Sequence, residues 1–518
     1  MMNEMLELFR QICNNRDLKK EDNFFVAGGD SMKAGRIISI LQERYQAELS
    51  YPDIFTSTTI QEIIDKIKTK DSEIPTVSLA HYAGKKIPLT IQQKEILAHD
   101  ILYKTNAFKI IASVDIHGEV NEKRLKQSIR DVIESYLLFS TQIQIETDLY
   151  NCVAEDKVRF LWRDGDANDQ DIQLWLNEVI GIEPDRYKVV FYHKESSLQE
   201  SRLFIGLHHI WGDESTAKIV LDGIWNRYRA YTGQDYVDRL PPSFAYQQFS
   251  ILQQNEEKEP YMAFWNKKLA EATNISSLKI MHNEDTGAFQ EPEYVELQIT
   301  EDEGRQLHRM AKECGSSLYS IFLSLYKLLI YEITNKNDVL IGFPIRAGAK
   351  SGASTEPGLY VSQSISTTAV DEKESIFHFV KRNQQEIFEN IEFSVFPFGY
   401  IAEMIDNDKA WKELPHKIHF NYIEEEYEDR VSEDLIVNNL NFLKQQQLSD
   451  FELIIGKKDS QFRASFVYKK GKFETGYVQH IRTSFERMLY RFLAFSLEKT
   501  IGEFIRKEEE FEYEEFDL

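Results

Sequence analysis

The chain has 518 residues, more than one hydrophobic core usually holds, so two to four folding units are expected. A hydrophobic share of 42% with 12% aromatic residues describes a globular protein and excludes a wholly disordered or fibrous one. The formal net charge of -24 would repel nucleic acid and an anionic membrane surface, so neither is expected as a partner and protein-facing work is favoured.

From the N-terminus, residues 1–14 carry no basic region followed by an apolar block and do not read as a secretory signal. Residues 1 to about 70 hold apolar positions at helical spacing in three stretches: Met5-Leu6-Phe9-Ile12, Ile37-Ile38-Ile40-Leu41-Tyr45 and Ile60-Ile63-Ile64-Ile67. That spacing predicts a small helical bundle, its last helix capped by Thr58 or Thr59 with Glu62 in the first turn. Periodicity is lost over 70–86, a polar stretch with Pro75 and Gly84 that reads as a linker.

Strand-like and helix-like stretches then alternate, as in an α/β protein. Strands are expected at 107–114, 188–193, 202–208, 294–299, 339–344 and 462–468. Helices are expected at 122–137, 215–231, 261–270, 301–313, 317–332, 375–390 and 475–495. The most apolar run, 317–333, is short for a bilayer and contains Lys327 and Glu332, so it reads as a buried core helix. Cys13, Cys152 and Cys314 are far apart, with no CxxC or zinc-type spacing, which reads as reduced thiols in a cytoplasmic protein. The last residues, 508–518, interleave seven acids with Phe511, Tyr513 and Phe516, a solvated tail or an acidic docking segment.

Two short motifs carry chemistry. In Gly28-Gly29-Asp30-Ser31 the glycines permit a tight turn, and Asp30-Ser31 opens a helix with the hydroxyl at its N-terminus. An anionic phosphodiester there would lie against unpaired N–H groups and the positive end of the helix dipole. The same four residues also describe an ordinary helix cap. In the second motif, the apolar run Leu203-Phe204-Ile205-Gly206-Leu207 delivers His208-His209, followed by Trp211-Gly212-Asp213. A histidine there can exchange a proton near neutral pH, and a carboxylate four residues on can fix the loop or pair with a cation. A structural histidine pair and a metal site using His208, His209, Asp213 and Glu214 stay open on these residues alone, although no HExxH-type motif supports metal.

The wider sequence is more specific. Asp22-Asn23-Phe24-Phe25-Val26-Ala27-Gly28-Gly29-Asp30-Ser31-Met32-Lys33-Ala34 resembles the attachment segment of peptidyl carrier proteins. The HHxxxD pattern of His208, His209 and Asp213 resembles the HHxxxDG signature of nonribosomal peptide synthetase condensation domains, of the chloramphenicol acetyltransferase-like superfamily. The likeness runs along most of 87–505. It includes Pro88-Leu89-Thr90-Ile91-Gln92-Gln93, Asp338-Val339-Leu340-Ile341-Gly342-Phe343-Pro344, Gly358-Leu359-Tyr360-Val361, Phe396-Pro397-Phe398 and His419-Phe420-Asn421-Tyr422. Three departures stand out. Glu214 occupies the place of the signature's glycine, Ser135-Tyr136-Leu137-Leu138-Phe139 replaces an arginine-rich motif, and Arg346 lies two places earlier than the family arginine.

The resemblance implies a multidomain chain: a small all-α four-helix carrier bundle followed by a two-lobed α/β chloramphenicol acetyltransferase-like condensation domain. The expected division is carrier 1–70, linker 71–86, N-lobe 87–260, C-lobe 261–505 and acidic tail 506–518. It implies 4'-phosphopantetheine covalently on Ser31, no metal, and a candidate catalytic set of His209, His208 and Asp213, with Asp213 turned toward the lobe interior. The implied reaction is transfer of a carrier-bound acyl or peptidyl thioester to an acceptor amine. Implied partners are a phosphopantetheinyl transferase, an adenylation domain supplying the donor, and a downstream carrier or free amine as acceptor, with a cytoplasmic location. Epimerisation is the nearest rival, opposed by the lack of Trp at 215–217 and by Phe396-Pro397-Phe398; a non-catalytic platform recruiting a partner enzyme is another. Heterocyclisation is disfavoured because His208 and His209 stand where that subtype uses aspartates.

Overall fold

The computed structural model describes residues 2–505 except 14, 25–26, 28, 30–32, 35–36, 39, 42–46, 50–52, 55–56, 58, 70–85, 104–107, 146–148, 154–157, 165–167, 183–185, 198–199, 232–242, 273–274, 280–291, 348–355, 406–416, 425–429, 432–434, 444–448, 459 and 470. Gly28, Asp30 and Ser31, nearly all of the expected linker and the acidic tail therefore lie outside the described residues.

The N-terminal region has its own core. Helix α1 (Met2–Ile12) turns Met5, Leu8, Phe9 and Ile12 inward, and α2 (Ile60–Asp65) contributes Ile60, Ile63 and Ile64. Between them Phe24, Ile37, Ile38, Leu41 and Ile54 complete the cluster, with Phe9 and Phe24 edge to face at 5.9 Å. Thr59 caps α2 by accepting from Glu62 N at 3.2 Å, one of the two caps expected. Among the described residues this region shows α1, α2, helical residues at 33–34, 37–38, 40–41 and 53–54, and a short antiparallel pairing of Ala47–Glu48 with Lys68–Thr69. The expected four-helix bundle is thus seen in its coarser form, a small and mainly helical unit.

The next segment runs through α3 (Ile91–Tyr103), β1 (Lys109–Gly118), α4 (Glu122–Glu134), β2 (Val158–Asp164), α5 (Asp169–Val179), β3 (Val189–Ser197), β4 (Glu200–His208), α6 (Glu214–Ala230), α7 (Ala245–Asn255) and α8 (Glu259–Ala270). The rest follows as β5 (Pro292–Ile299), α9 (Glu301–Cys314), α10 (Leu318–Thr334), β6 (Ile341–Arg346), β7 (Val361–Ser366), α11 (Ile376–Glu392), α12 (Phe398–Ile405), β8 (Ile418–Glu424), β9 (Arg430–Val431), β10 (Leu435–Phe442), β11 (Phe451–Lys458), β12 (Gln461–Lys469) and α13 (Thr475–Ala494).

Two six-stranded sheets organise these elements. The first has the order β9-β10-β1-β4-β3-β2 and packs on α4 and α6; the second has the order β5-β12-β11-β8-β6-β7 and packs on α9, α10, α11 and α13. Strands β9 and β10 come from the expected C-lobe but belong to the first sheet, with β10 antiparallel to β1. A single cut at 260 therefore does not separate the lobes. The reason is local: Leu435 and Val437, two residues apart, both enter the N-lobe core.

In the second sheet the pleat decides which residues meet the core. Phe451, Leu453 and Ile455 of β11 and Ile418 and Phe420 of β8 point into it, so their alternates Glu452 and His419, which are register partners, point to the other face. Helix α9 is fixed by a capping box between Thr300 and Glu303 and ends at Gly315, whose φ of 53° is left-handed. Helix α10 is buried almost throughout, and among the described residues no single helix is long and apolar enough to cross a membrane. Its Lys327 is fully buried, donates to Thr368 O at 2.9 Å and lies 3.6 Å from Glu386, whose carboxylate also takes bonds from Ser366, Thr367 and Thr368.

Candidate active site

Strand β4 sits between β1 and β3, and its last residue, His208, is buried. Gly206 is required two residues earlier by close packing, because a Cβ there would lie 2.4 Å from Ile180 Cδ1. The chain then leaves the sheet in a short 3-10 turn over His209–Trp211. That turn is anchored on three sides. His209 N donates to Phe108 O at 2.7 Å, Gly212 N donates to His209 O at 3.1 Å, and Gln93 Nε2 donates to Ile210 O at 3.1 Å. Below it the Lys188 ammonium lies 4.9 Å from the Trp211 ring and donates to the carbonyls of Phe139 and Thr141.

The two histidines have different surroundings. His208 Nδ1 accepts from Ile210 N at 3.3 Å, which leaves the proton on Nε2, 3.6 Å from Asp100 Oδ1 of α3. It holds the turn. His209 is half-buried, with its Nδ1 enclosed and without a hydrogen-bond partner. Burial lowers its pKa, and the opposing pull of Asp213 does not cancel this, so the ring is neutral near pH 7 and able to accept a proton.

Asp213 points the other way. It is the N-cap of α6, accepting from Thr216 N at 3.0 Å and from Thr216 Oγ1 at 3.2 Å, and its second oxygen pairs with Arg346 and accepts from Tyr360 N at 3.4 Å. The Thr216 hydroxyl hydrogen is shared between Asp213 and Gly358 O, the latter at 3.1 Å, and Thr216 Oγ1 accepts from Gly358 N at 3.0 Å. Gly212, in extended backbone, must be glycine because a Cβ would meet Thr216 Cγ2 at 2.5 Å. The motif's carboxylate thus ties the start of α6 to the segment joining β6 and β7, and Arg346 reaches it despite its displaced position in sequence. His208 and Asp213 go to separate partners, Asp100 and Arg346, so the motif does not converge as a metal site would.

Near Ser31, Gly29 N donates to Phe24 O at 2.9 Å, and a Cβ at Gly29 would lie 2.5 Å from the Phe24 ring. Gly29 is thus held closely against Phe24, while the rest of the expected turn, Gly28, Asp30 and Ser31, lies outside the described residues.

A family model for the condensation domain matches residues 83–510. The chain belongs to the condensation-domain family. A second model, the phosphopantetheine attachment site, matches residues 3–67, so a carrier domain precedes the condensation domain. Among curated relatives, a plipastatin synthase component of Bacillus subtilis is 19% identical over 80% of the chain and 16% of its own length. Gramicidin S synthase 2 of Aneurinibacillus migulanus is 21% identical over 77% of the chain and 9% of its own length. The chain thus spans less than a fifth of these relatives. Among solved structures, the condensation domain of the Monacolin K polyketide synthase MokA superposes with a TM-score of 0.67 at 13% identity, covering 80% of the chain and 99% of that domain. The X-domain in complex with OxyB from teicoplanin biosynthesis gives 0.65 at 14% identity, covering 84% and 98%. These likenesses show the condensation-domain fold.

Sequence reasoning did not single out Lys188, Asp100 or Thr216. Only Thr216 had a local signal, the Asp-x-x-Thr spacing of a capping box. The other two act through contacts far along the chain.

Proposed function

We propose that the carrier (1–70) holds an acyl or peptidyl thioester on Ser31 and that the condensation domain (87–505, after a linker at 71–86) transfers it to an amine, making an amide bond. The observation that carries this reading is the divided motif: His209 is half-buried with no partner on its Nδ1, while His208 and Asp213 are occupied in fixing the turn. The 4'-phosphopantetheine arm would be held through Ser31 and supplies a thiol that carries the acyl group in activated form.

The chain's own residues do the rest. A thioester needs little further activation, so holding it and the amine at attack distance supplies much of the rate. His209 Nε2 receives the proton that the nitrogen sheds as the C–N bond forms, worth about a hundred- to ten-thousandfold. Asp213 acts as a structural tie, and His208 fixes the turn from below.

Loading requires a phosphopantetheinyl transferase and an adenylation domain supplying the donor. The acceptor is a downstream carrier-bound or free amine, and the work belongs in the cytoplasm. The test is intact-mass analysis after treatment with a phosphopantetheinyl transferase and an acyl-coenzyme A, then addition of candidate amines. Loading that persists in Ser31→Ala removes the carrier assignment. A second reading, a platform that recruits another enzyme, is supported by the X-domain neighbour, which is seen in complex with OxyB. Amide formation by wild type that falls in His209→Ala excludes that reading.

A further inference from the structure

A buried ammonium, that of Lys188, lies against the turn that carries His209. Lys188 immediately precedes β3 and keeps 3% of its exposure. Its carbonyl accepts from His208 N at 3.3 Å, so it stands on the neighbouring strand opposite the first histidine of the motif. The side chain reaches two places at once. Its Nζ donates to Phe139 O at 3.1 Å and to Thr141 O, at the end of the 3-10 turn Leu137–Ser140, and it lies 4.9 Å from the centroid of the Trp211 ring. Taking an ammonium out of water is costly unless its charge and its donors are compensated. Two carbonyl oxygens and an indole face supply that compensation, and together they make the contact directional.

Trp211 links this cation to the site. It is 2% exposed, and among the described residues its Nε1 has no hydrogen-bond acceptor. No hydrogen bond at the indole edge therefore fixes the angle of the ring, which is left to packing and to the cation on its face. Trp211 shares one core cluster with Leu138, from the turn that Lys188 caps, and with Ala347, Leu359 and Tyr360 from the C-lobe segment that joins β6 and β7. It is also the last residue of the 3-10 turn that begins at His209, and Gly212 N closes this turn on His209 O at 3.1 Å. Three residues closed in this way move together, so a tilt of the indole is a tilt of the His209 ring.

We propose that Lys188 is a positioning residue for the transfer reaction: through Trp211 it sets the tilt of the His209 turn, and with it the angle at which His209 meets the amine. This rests on the condensation reading above and deepens it. In this role Lys188 exchanges no proton, and its effect passes through the indole. A small tilt is enough to matter, because a misplacement of about 1 Å in a reacting constellation can cost roughly a hundredfold in rate.

Lys188→Met keeps the stem and removes the cation, whereas Trp211→Phe keeps a ring of weaker quadrupole and leaves Lys188 on its two carbonyls. Both variants are loaded at Ser31 and compared with wild type at rising amine concentration. Lys188→Met should lower the maximal transfer rate about ten- to a hundredfold and leave the half-saturating amine concentration within about threefold. Trp211→Phe should move the rate in the same direction by a smaller factor. The decisive comparison is made in the His209→Ala background, where no imidazole is left to aim: there Lys188→Met should change the remaining rate by less than about threefold. A wild-type rate in Lys188→Met, or the same loss in both backgrounds, overturns the assignment. A second readout needs no turnover: hydrogen exchange of the unloaded protein. The amides of His209 and Gly212, which donate to Phe108 O and His209 O, should exchange at least about tenfold faster in both variants, while α13 in the other lobe keeps its wild-type protection. Unchanged exchange at His209 and Gly212, or a loss of protection that includes α13, overturns it as well. If Lys188→Met fails to fold, Trp211→Phe decides by the same two readouts. If loaded wild type makes no amide, the condensation reading fails instead, and the exchange comparison still decides whether Lys188 holds the turn.

Discussion

Breaking the Asp213–Arg346 pair from either side should give unequal costs. The two side chains keep only 6% and 17% of their exposure, so the pair is largely out of water. Arg346→Ala leaves a buried carboxylate without its cation, a loss of about 3–5 kcal/mol where nothing else compensates. Here Thr216 N, Thr216 Oγ1 and Tyr360 N remain as donors, which brings the expected cost to about 2–3 kcal/mol. Asp213→Asn removes the charge but keeps a good helix cap. Arg346 then retains Glu356 O at 2.9 Å and the Tyr360 ring at 4.8 Å, so about 1 kcal/mol is expected. The double variant should resemble Asp213→Asn and fall about 2 kcal/mol short of the sum of the singles. Urea denaturation followed by tryptophan fluorescence reads this, with Trp211 two residues from the cap and Trp225 in the adjacent core. Additivity within about 0.5 kcal/mol, or a double variant less stable than Arg346→Ala, would refute the interlobe tie.

Three further outcomes follow from the structure. The lowered pKa of His209 should put its acid limb in the rate profile below 6.5, and His209→Ala should abolish that limb; a limb unchanged in the variant would assign it elsewhere. Glu386 is held well below the usual carboxylate range: burial opposes this, but Lys327, Lys268 and the bonds from Ser366 and Thr368 outweigh it. Its stabilising contribution is therefore present above about pH 4.5 and lost as pH falls, so Lys327→Met should cost about 3 kcal/mol near neutrality and flatten the decline of urea midpoint below pH 5; an unchanged slope contradicts the coupling. Gly304→Ala should destabilise the C-lobe by about 1–3 kcal/mol, because the new Cβ would lie 1.8 Å from the backbone oxygen of Ser460, and an unshifted melting temperature would rule that contact out.

What the sequence made legible was mainly what is local. The helix expected at 301–313 is α9, Glu301–Cys314, because Thr300, Glu303 and Gly315 mark both ends within the segment itself. The strand expected at 462–468 lies inside β12, Gln461–Lys469, for a similar reason: Phe462, Ala464 and Phe466 alternate with Arg463 and Ser465 before the apolar pair Val467-Tyr468. Strand β10 was not expected, since its partner β1 lies more than three hundred residues earlier and no short pattern encodes that pairing. The candidate site divides in the same way. His208, His209 and Asp213 are contiguous enough to read, whereas Arg346, 133 residues after Asp213, becomes a neighbour only through the fold.

The most direct test of the proposed function is a single-turnover experiment on the protein loaded at Ser31 with one acyl group. An amine is added, and the acyl mass on the carrier and the free amide are followed together. Wild type should lose the acyl mass as amide appears, while His209→Ala should hold its acyl group and form amide about a hundred- to ten-thousandfold more slowly. Amide release at the same rate in both, or a loaded wild type that never yields amide with any amine tried, would contradict acyl transfer at His209.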